Sequence, residues 1–202
     1  MEEGFYVAPM GQSKVLTVSE DGGFALTMQD MEQYLFGVNG SLLSISDPNG
    51  VHTTLEYEGE GILLTKVSTP SGSLLFSYDD DGRLAEVADH TGCSVAFGYD
   101  EGRLTKVVQP HGAEFKYSYN AKGLMLGVTN PQGVESVRNK YDHKGRATVQ
   151  HLADGGITYL RYDDDRLLTT ITDQAGNTTN YHRDEKYRTI KIAYAVKGVM
   201  VI

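Results

Sequence analysis

The 202 residues include no tryptophan, a single cysteine, five prolines and no apolar stretch longer than Tyr194 to Ile202. A helix that crosses a bilayer needs about 20 apolar residues, so membrane insertion is not expected. Cys93 alone cannot close an intrachain disulfide, and the fold must stand without covalent staples. The start, Met1-Glu2-Glu3-Gly4-Phe5, has no basic region followed by an apolar run, and no secretory signal is read there. Lys and Arg number 18 against 27 Asp and Glu, a net charge of −9, with no basic cluster along the chain. A groove built on phosphate neutralisation has little to work with, so nucleic acid is not an expected partner. No G-x-S-x-G elbow, P-loop, dinucleotide fingerprint or HExxH spacing occurs. What is plentiful is glycine, at 23 residues, and tyrosine, at 13, a composition of turns and strands. With 40% hydrophobic and 22% charged residues the chain reads as one ordered domain or one compact array.

The decisive feature is a period. Gly50, Gly72, Gly92, Gly112, Gly133, Gly155, Gly176 and Gly198 follow one another at steps of 20 to 22 residues. Five residues before most of them stands a β-branched aliphatic (Ile45, Val67, Val87, Val107, Val128, Ile171), whereas Val149 lies six before its glycine. Leu or Met sits three residues further back at Leu64, Leu84, Leu104, Met125 and Leu168. An aromatic anchors the front of each unit: Phe36, Tyr57, Tyr78, Tyr99, Tyr119, Tyr141 and Tyr162. Within Ser73 to Gly92, two β-like runs are separated by Asp79-Asp-Asp-Gly82 and closed by Asp89-His-Thr-Gly92. Asp side chains bond to local backbone and Gly accepts positive φ, so each unit reads as a β-hairpin.

First strands alternate with the tyrosine side apolar, as in Leu74, Phe76 and Tyr78 or Phe115, Tyr117 and Tyr119, which predicts one dry and one wet face. In second strands the Leu-to-Val spacing of three breaks strict alternation and reads either as a recurrent β-bulge or as a strand buried on both sides. Eight units give about 16 strands and, at about 4.8 Å each, a flat sheet about 77 Å wide. Such sheets curl or close. The expected fold is all-β: about eight antiparallel hairpin repeats of 20–22 residues in one curved or spiralling sheet with an aromatic-lined inner face. A parallel β-helix is the rival, but two Asp/Gly turns per unit divide it into two strands rather than three.

The turns read Tyr78-Asp79-Asp-Asp-Gly82-Arg83-Leu84, Tyr99-Asp100-Glu-Gly102-Arg103-Leu104 and Tyr141-Asp142-His-Lys-Gly145-Arg146. Tyr57-Glu58, Tyr119-Asn120-Ala-Lys-Gly123-Leu124 and Tyr162-Asp163-Asp-Asp-Arg166-Leu167-Leu168 are degenerate copies. Over residues 30 to 198 the chain resembles the RHS family, whose YD repeats share the Tyr-Asp-x-x-Gly-Arg-Leu hairpin. Three departures (Arg146-Ala147 after Gly145, Phe36-Gly37 and Arg183-Asp184 in place of the pair) mark units expected to be less regular. The resemblance implies a division into a β-rich leading segment at 1–30, a repeat array at 31–198 and the start of a further repeat at 199–202. In RHS proteins, wall-associated bacterial polypeptides, insecticidal toxin complexes and teneurins, many copies form a spiralling β-shell, which in the bacterial toxins encloses a carboxy-terminal toxic domain. By resemblance this chain is a piece of such a shell, secreted or at the cell surface as part of a larger protein. Its partners are then the remainder of that polypeptide or an encapsulated toxin domain. Surface glycans are the partners under the alternative reading, a carbohydrate- or cell-surface-binding module.

Candidate chemistry is weighed against plainer roles. Asp79-Asp80-Asp81 and Asp163-Asp164-Asp165 lack the alternating ligands and distal Glu of a calcium loop, and turn capping explains them. His52, His90, His111, His143, His151 and His182 show no metal spacing, with His90 and His111 read as solvated turn residues. Cys93 reads as a small packed thiol. Arg83, Arg103 and Arg146 are expected to contact Asp79, Asp100 and Asp142 at the facing strand ends, and the tyrosine column to pack rather than to stack on sugars. No catalytic, metal or cofactor residues are expected, and the chain reads as non-enzymatic. The apolar end at Tyr194–Ile202 lacks a closing turn, so a partner or further chain is expected beyond it.

Overall fold

A computed structural model of the protein describes residues 5–7, 14–59 and 63–195. These form nineteen β-strands and one three-residue 3₁₀ turn, Pro110–Gly112, with no longer helix among them. Two compact units divide between Phe97 and Gly98. The first runs through β1 (Phe5–Val7), β2 (Val15–Val18), β3 (Phe24–Thr27), β4 (Gln33–Phe36), β5 (Leu42–Ser46), β6 (His52–Glu58), β7 (Leu63–Thr69), β8 (Gly72–Tyr78) and β9 (Leu84–Asp89) into β10 (Ser94–Asp100). The second continues with β11 (Arg103–Val108), β12 (Glu114–Tyr119), β13 (Met125–Thr129), β14 (Glu135–Tyr141), β15 (Ala147–Leu152), β16 (Ile157–Asp163), β17 (Leu168–Thr172), β18 (Thr178–Arg183) and β19 (Thr189–Ala195). Within the two units, fourteen of these strands pair off as seven of the eight hairpins expected from the period.

Within each unit every strand pairs antiparallel with its neighbour in sequence. That register rules out the parallel β-helix. It also decides the meaning of the Leu-to-Val spacing. Glu56 faces Lys66 but Tyr57 faces Leu64, leaving Thr65 as an extra residue. The same shift sets Tyr78 opposite Leu84, Tyr119 opposite Met125 and Tyr141 opposite Ala147. Phe36 and Arg183 sit at equivalent shifts. The spacing is therefore a recurrent bulge. In these hairpins one unpaired residue in the second strand restores the alternation, returning Leu64 and Val67 to the side that carries Leu55 and Tyr57.

Alternation survives, since β6 reads exposed and half-buried by turns from His52 to Glu58. The tyrosine side is nevertheless not dry: no hydrophobic side chain among the described residues is fully buried, and Leu74 is 43% exposed. An isolated sheet layer removes water from a side chain only through its strand neighbours. Among the described polar residues only Asn139 and Thr169 are buried.

Three units expected to be irregular are regular. The turns at 37–41, 142–146 and 184–188 close with the same two hydrogen bonds as the turn at 79–83, because backbone bonding and one left-handed residue define this connection and the side chains beside it do not. The irregular hairpin is β16–β17, where Tyr162 faces Thr169 and Asp163 faces Leu168 with no shift. Its loop lacks the glycine, and Leu167 takes φ +49° instead. Residues 196–202, including Gly198 and most of the apolar end, lie outside the described residues.

Candidate functional site: the acidic turns and the tyrosine ladder

The commonest connection is a three-residue loop. Asp79 N–H donates to Arg83 O (2.9 Å) and Gly82 N–H to Asp79 O (2.9 Å), with Gly82 at φ +75°, a type I turn followed by a left-handed residue. The side chain at its first position holds it. Asp79 Oδ1 accepts the N–H groups of Asp81 (3.0 Å) and Arg83 (2.9 Å), and Asp142 does the same for Lys144 and Arg146. Asn120 does so without charge, for Lys122 and Leu124.

The second carboxylate oxygen takes the arginine. Arg83 Nε donates to Asp79 Oδ2 and Arg146 Nε to Asp142 Oδ2, both at 2.8 Å. Asp184 and Arg188 repeat the pair. The Gly102-Arg103 turn differs. It is one residue shorter, Glu101 and Gly102 both take positive φ, and Arg103 meets Glu101 at 3.2 Å rather than Asp100. Arg146 has a further role: Nη1 reaches Asp164 (2.6 Å), which also takes Lys144 (2.6 Å), and the guanidinium lies 4.3 Å from the Tyr162 ring centroid. Adjacent turns are thus tied across a repeat, along a recess of about 250 Å³ lined by Arg146, Tyr162, Thr169 and Arg183.

Tyrosine makes a second tie. Tyr57 donates its hydroxyl to Leu42 O (2.8 Å), Tyr78 to Leu64 O (2.7 Å), Tyr119 to Leu104 O (2.8 Å), Tyr141 to Met125 O (2.5 Å) and Tyr162 to Ala147 O (2.9 Å). At the bulge of its own hairpin Leu42 stands opposite Phe36, and Leu64, Met125 and Ala147 stand opposite Tyr57, Tyr119 and Tyr141. Tyr57, Tyr78, Tyr141 and Tyr162 therefore each read the bulge of the repeat before them.

Sequence reasoning missed Asn139, whose amide donates to Met125 O (3.2 Å) and accepts from Gln150 Nε2 (3.2 Å). The displaced Val149 was its signal. Val149 pairs with Lys140, away from the tyrosine side, and Gln150 takes the position that an aliphatic holds elsewhere. Cys93 is exposed, not packed; it follows a turn glycine, where the chain has not yet entered β10. His90 and His111 are exposed. Among the described residues no group of three His, Cys, Asp or Glu is placed to hold a metal ion.

The carboxylates of Asp79, Asp142, Asp164 and Asp184 sit below the ordinary range. The Arg83 N–H lowers Asp79 most and the Arg146 N–H lowers Asp142 most, while Lys144 leads for Asp164 and Arg188 for Asp184. A depressed folded value means that the stabilisation is complete above the unfolded value, near 3.8, and fades as pH falls through the lower folded values. The melting midpoint, followed by circular dichroism, is expected to hold level from pH 7 to about 5 and to fall below about pH 4. Asp79→Asn, Asp142→Asn and Asp184→Asn combined should flatten that fall. An acid slope unchanged in the triple variant would remove the turns as its cause.

The hairpin with its bulge, its Asp-held turn and its backward-reaching tyrosine finds a match among known proteins. The family profile described as Teneurin YD-shell matches residues 15–197. The chain belongs to the YD-shell family. Mouse Teneurin-3 is 26% identical over 191 residues, covering 89% of this YD-shell chain and 6% of that protein. Probable deoxyribonuclease RhsB of Dickeya dadantii is 31% identical over 145 residues, covering 60% of the chain and 10% of the relative. Among solved structures, the Photorhabdus luminescens Tc holotoxin pore shares the fold with a TM-score of 0.54 at 14% identity, over 87% of this chain and 12% of that one. The YD-shell chain thus spans about a tenth or less of these curated relatives.

Proposed function

We propose that the chain is a segment of wall in a larger β-shell, a non-enzymatic scaffold that lines a compartment with its tyrosine face and helps enclose polypeptide belonging to the same secreted or cell-surface protein. The carrying observation is the repeat-to-repeat tie: tyrosine hydroxyls bonded to the preceding bulge, with the aromatic face left half-buried. A lone layer with such a face is stable as lining and incomplete as a globule. The match to the YD-shell profile supports the same reading. On this reading residues 1–30 lead into the array, 31–198 build the wall and 199–202 begin another repeat. An enclosed toxin domain, as in the RHS toxins, is the cargo that the reading favours.

Hydroxyl-radical footprinting of this segment, alone and within its intact parent protein, tests the proposal. Leu74, Phe76 and Tyr117 should be labelled in the isolated chain and several-fold less in the parent. Equal labelling in both would remove the enclosure.

A further inference from the structure

The repeat is broken twice at one place. The β16–β17 hairpin closes without the bulge, and in the next hairpin Arg183, opposite Thr189 at the shift, stands where the other repeats carry Phe or Tyr. The recess of about 250 Å³ lies between these two departures, with Tyr162, Leu167 and Leu168 as its apolar lining. A sequence that keeps its local rules elsewhere breaks them where a site uses the departure. The volume is below the roughly 300 to 1,000 Å³ of clefts that take drug-sized ligands, so the space suits a smaller molecule.

The cations around the recess are not equivalent. Arg146 is spent on Asp142 and Asp164 and covers the Tyr162 ring, and Arg166 meets Asp163 at 3.8 Å. Arg183 is half-buried, its backbone N–H donates to Leu167 O (2.9 Å), and its guanidinium meets no carboxylate among the described residues. Such a planar fork of donors matches a carboxylate with two parallel bonds. A second wall is held under strain. Tyr187 takes φ +59° at the loop position that Gly82 holds in its own turn, and its ring lines the recess while remaining 70% exposed. A Cβ is disfavoured in this region, and strain of this kind persists where a site uses the side chain it positions. Asp163 and Asp164 also line the recess. They repel a phosphate, with nearly two negative charges, more than a carboxylate with one.

We infer that this recess binds a small aromatic monocarboxylate, the carboxylate paired with the Arg183 guanidinium and the aromatic body laid against Tyr187 and Leu168. This goes beyond the wall role and does not depend on what the wall encloses. A free arylacetate carries this chemistry, and so does the end of a peptide that finishes in phenylalanine. The test is an NMR titration of the full chain that follows the arginine Nε–H resonances, with phenylacetate in one arm and N-acetylglycylphenylalanine in the other. A saturable shift of the Arg183 resonance is expected; tighter binding of phenylacetate assigns a free small molecule and tighter binding of the dipeptide a chain end. Arg183→Gln should weaken binding by about tenfold or more, whereas Arg138→Gln, which removes a cation held by Glu135, should change it by less than about twofold. Arg183→Tyr restores the aromatic of the other repeats and should abolish binding with the melting midpoint kept. Tyr187→Gly should weaken binding several-fold while raising that midpoint. No shift at Arg183 in either arm, equal binding of the uncharged phenethyl alcohol, tighter binding of phenyl phosphate, or unchanged affinity in Arg183→Gln or in Tyr187→Gly would each overturn the inference.

Discussion

Replacing Tyr119 by alanine is expected to lower the stability of the second unit by about 2 kcal/mol, roughly half of what a fully buried aromatic costs. The ring is half-buried, and a single-layer sheet has no second layer whose contacts would be lost. The hydroxyl is a separable part of that figure. Tyr119→Phe keeps the ring but deprives Leu104 O of its donor at 2.8 Å, which should cost about 0.5 to 1.5 kcal/mol. Urea unfolding of both variants, with Ser118→Ala as a neighbour on the other side expected within about 0.5 kcal/mol, separates packing from the tie. If Tyr119→Phe matched the wild type, the ladder would be a consequence of packing rather than a cause of register.

The second large effect lies in the turns. Gly82 sits at φ +75° with open space where a Cβ would point, so Gly82→Val meets no clash and suffers only from backbone conformation. A left-handed residue costs about 1 to 2 kcal/mol when it carries a Cβ, and a β-branched one stands at the upper end. Gly82→Asn should lose clearly less, because Asn tolerates this region. Met31 at φ +69° and Tyr187 at φ +59° hold the same loop position without being glycine. Met31→Gly and Tyr187→Gly should therefore stabilise, each by about 1 kcal/mol. Thermal unfolding of the four variants checks the sign in both directions. A destabilised Tyr187→Gly would mean that the tyrosine ring makes contacts worth more than the strain.

The hairpin period was legible because its parts are local. A glycine at the left-handed position and an Asp three residues earlier specify a loop without reference to the rest of the chain. The bulge was legible only as an alternative. A spacing of three between Leu84 and Val87 fits both a bulge and a doubly buried strand, and the choice depends on the partner, where Tyr78 meets Leu84 while Ser77 meets Glu86. Regularity was misjudged at Gly145-Arg146-Ala147, since side-chain identity after the turn has little hold on backbone bonding. The buried Asn139 and its half-buried partner Gln150 showed only as a one-residue offset at Val149. Lys106 and Lys116, on consecutive strands, likewise become direct neighbours only through strand register.

One consequence concerns the order of assembly. Every tyrosine hydroxyl in the ladder bonds to a carbonyl 14 to 16 residues upstream of it. A ribosome delivers the amino-terminal side first, so each new ring emerges to find its acceptor already set in a finished bulge. The growing polymer can zip forward one turn of thread at a time, with every completed hairpin serving as the template against which its successor is gauged.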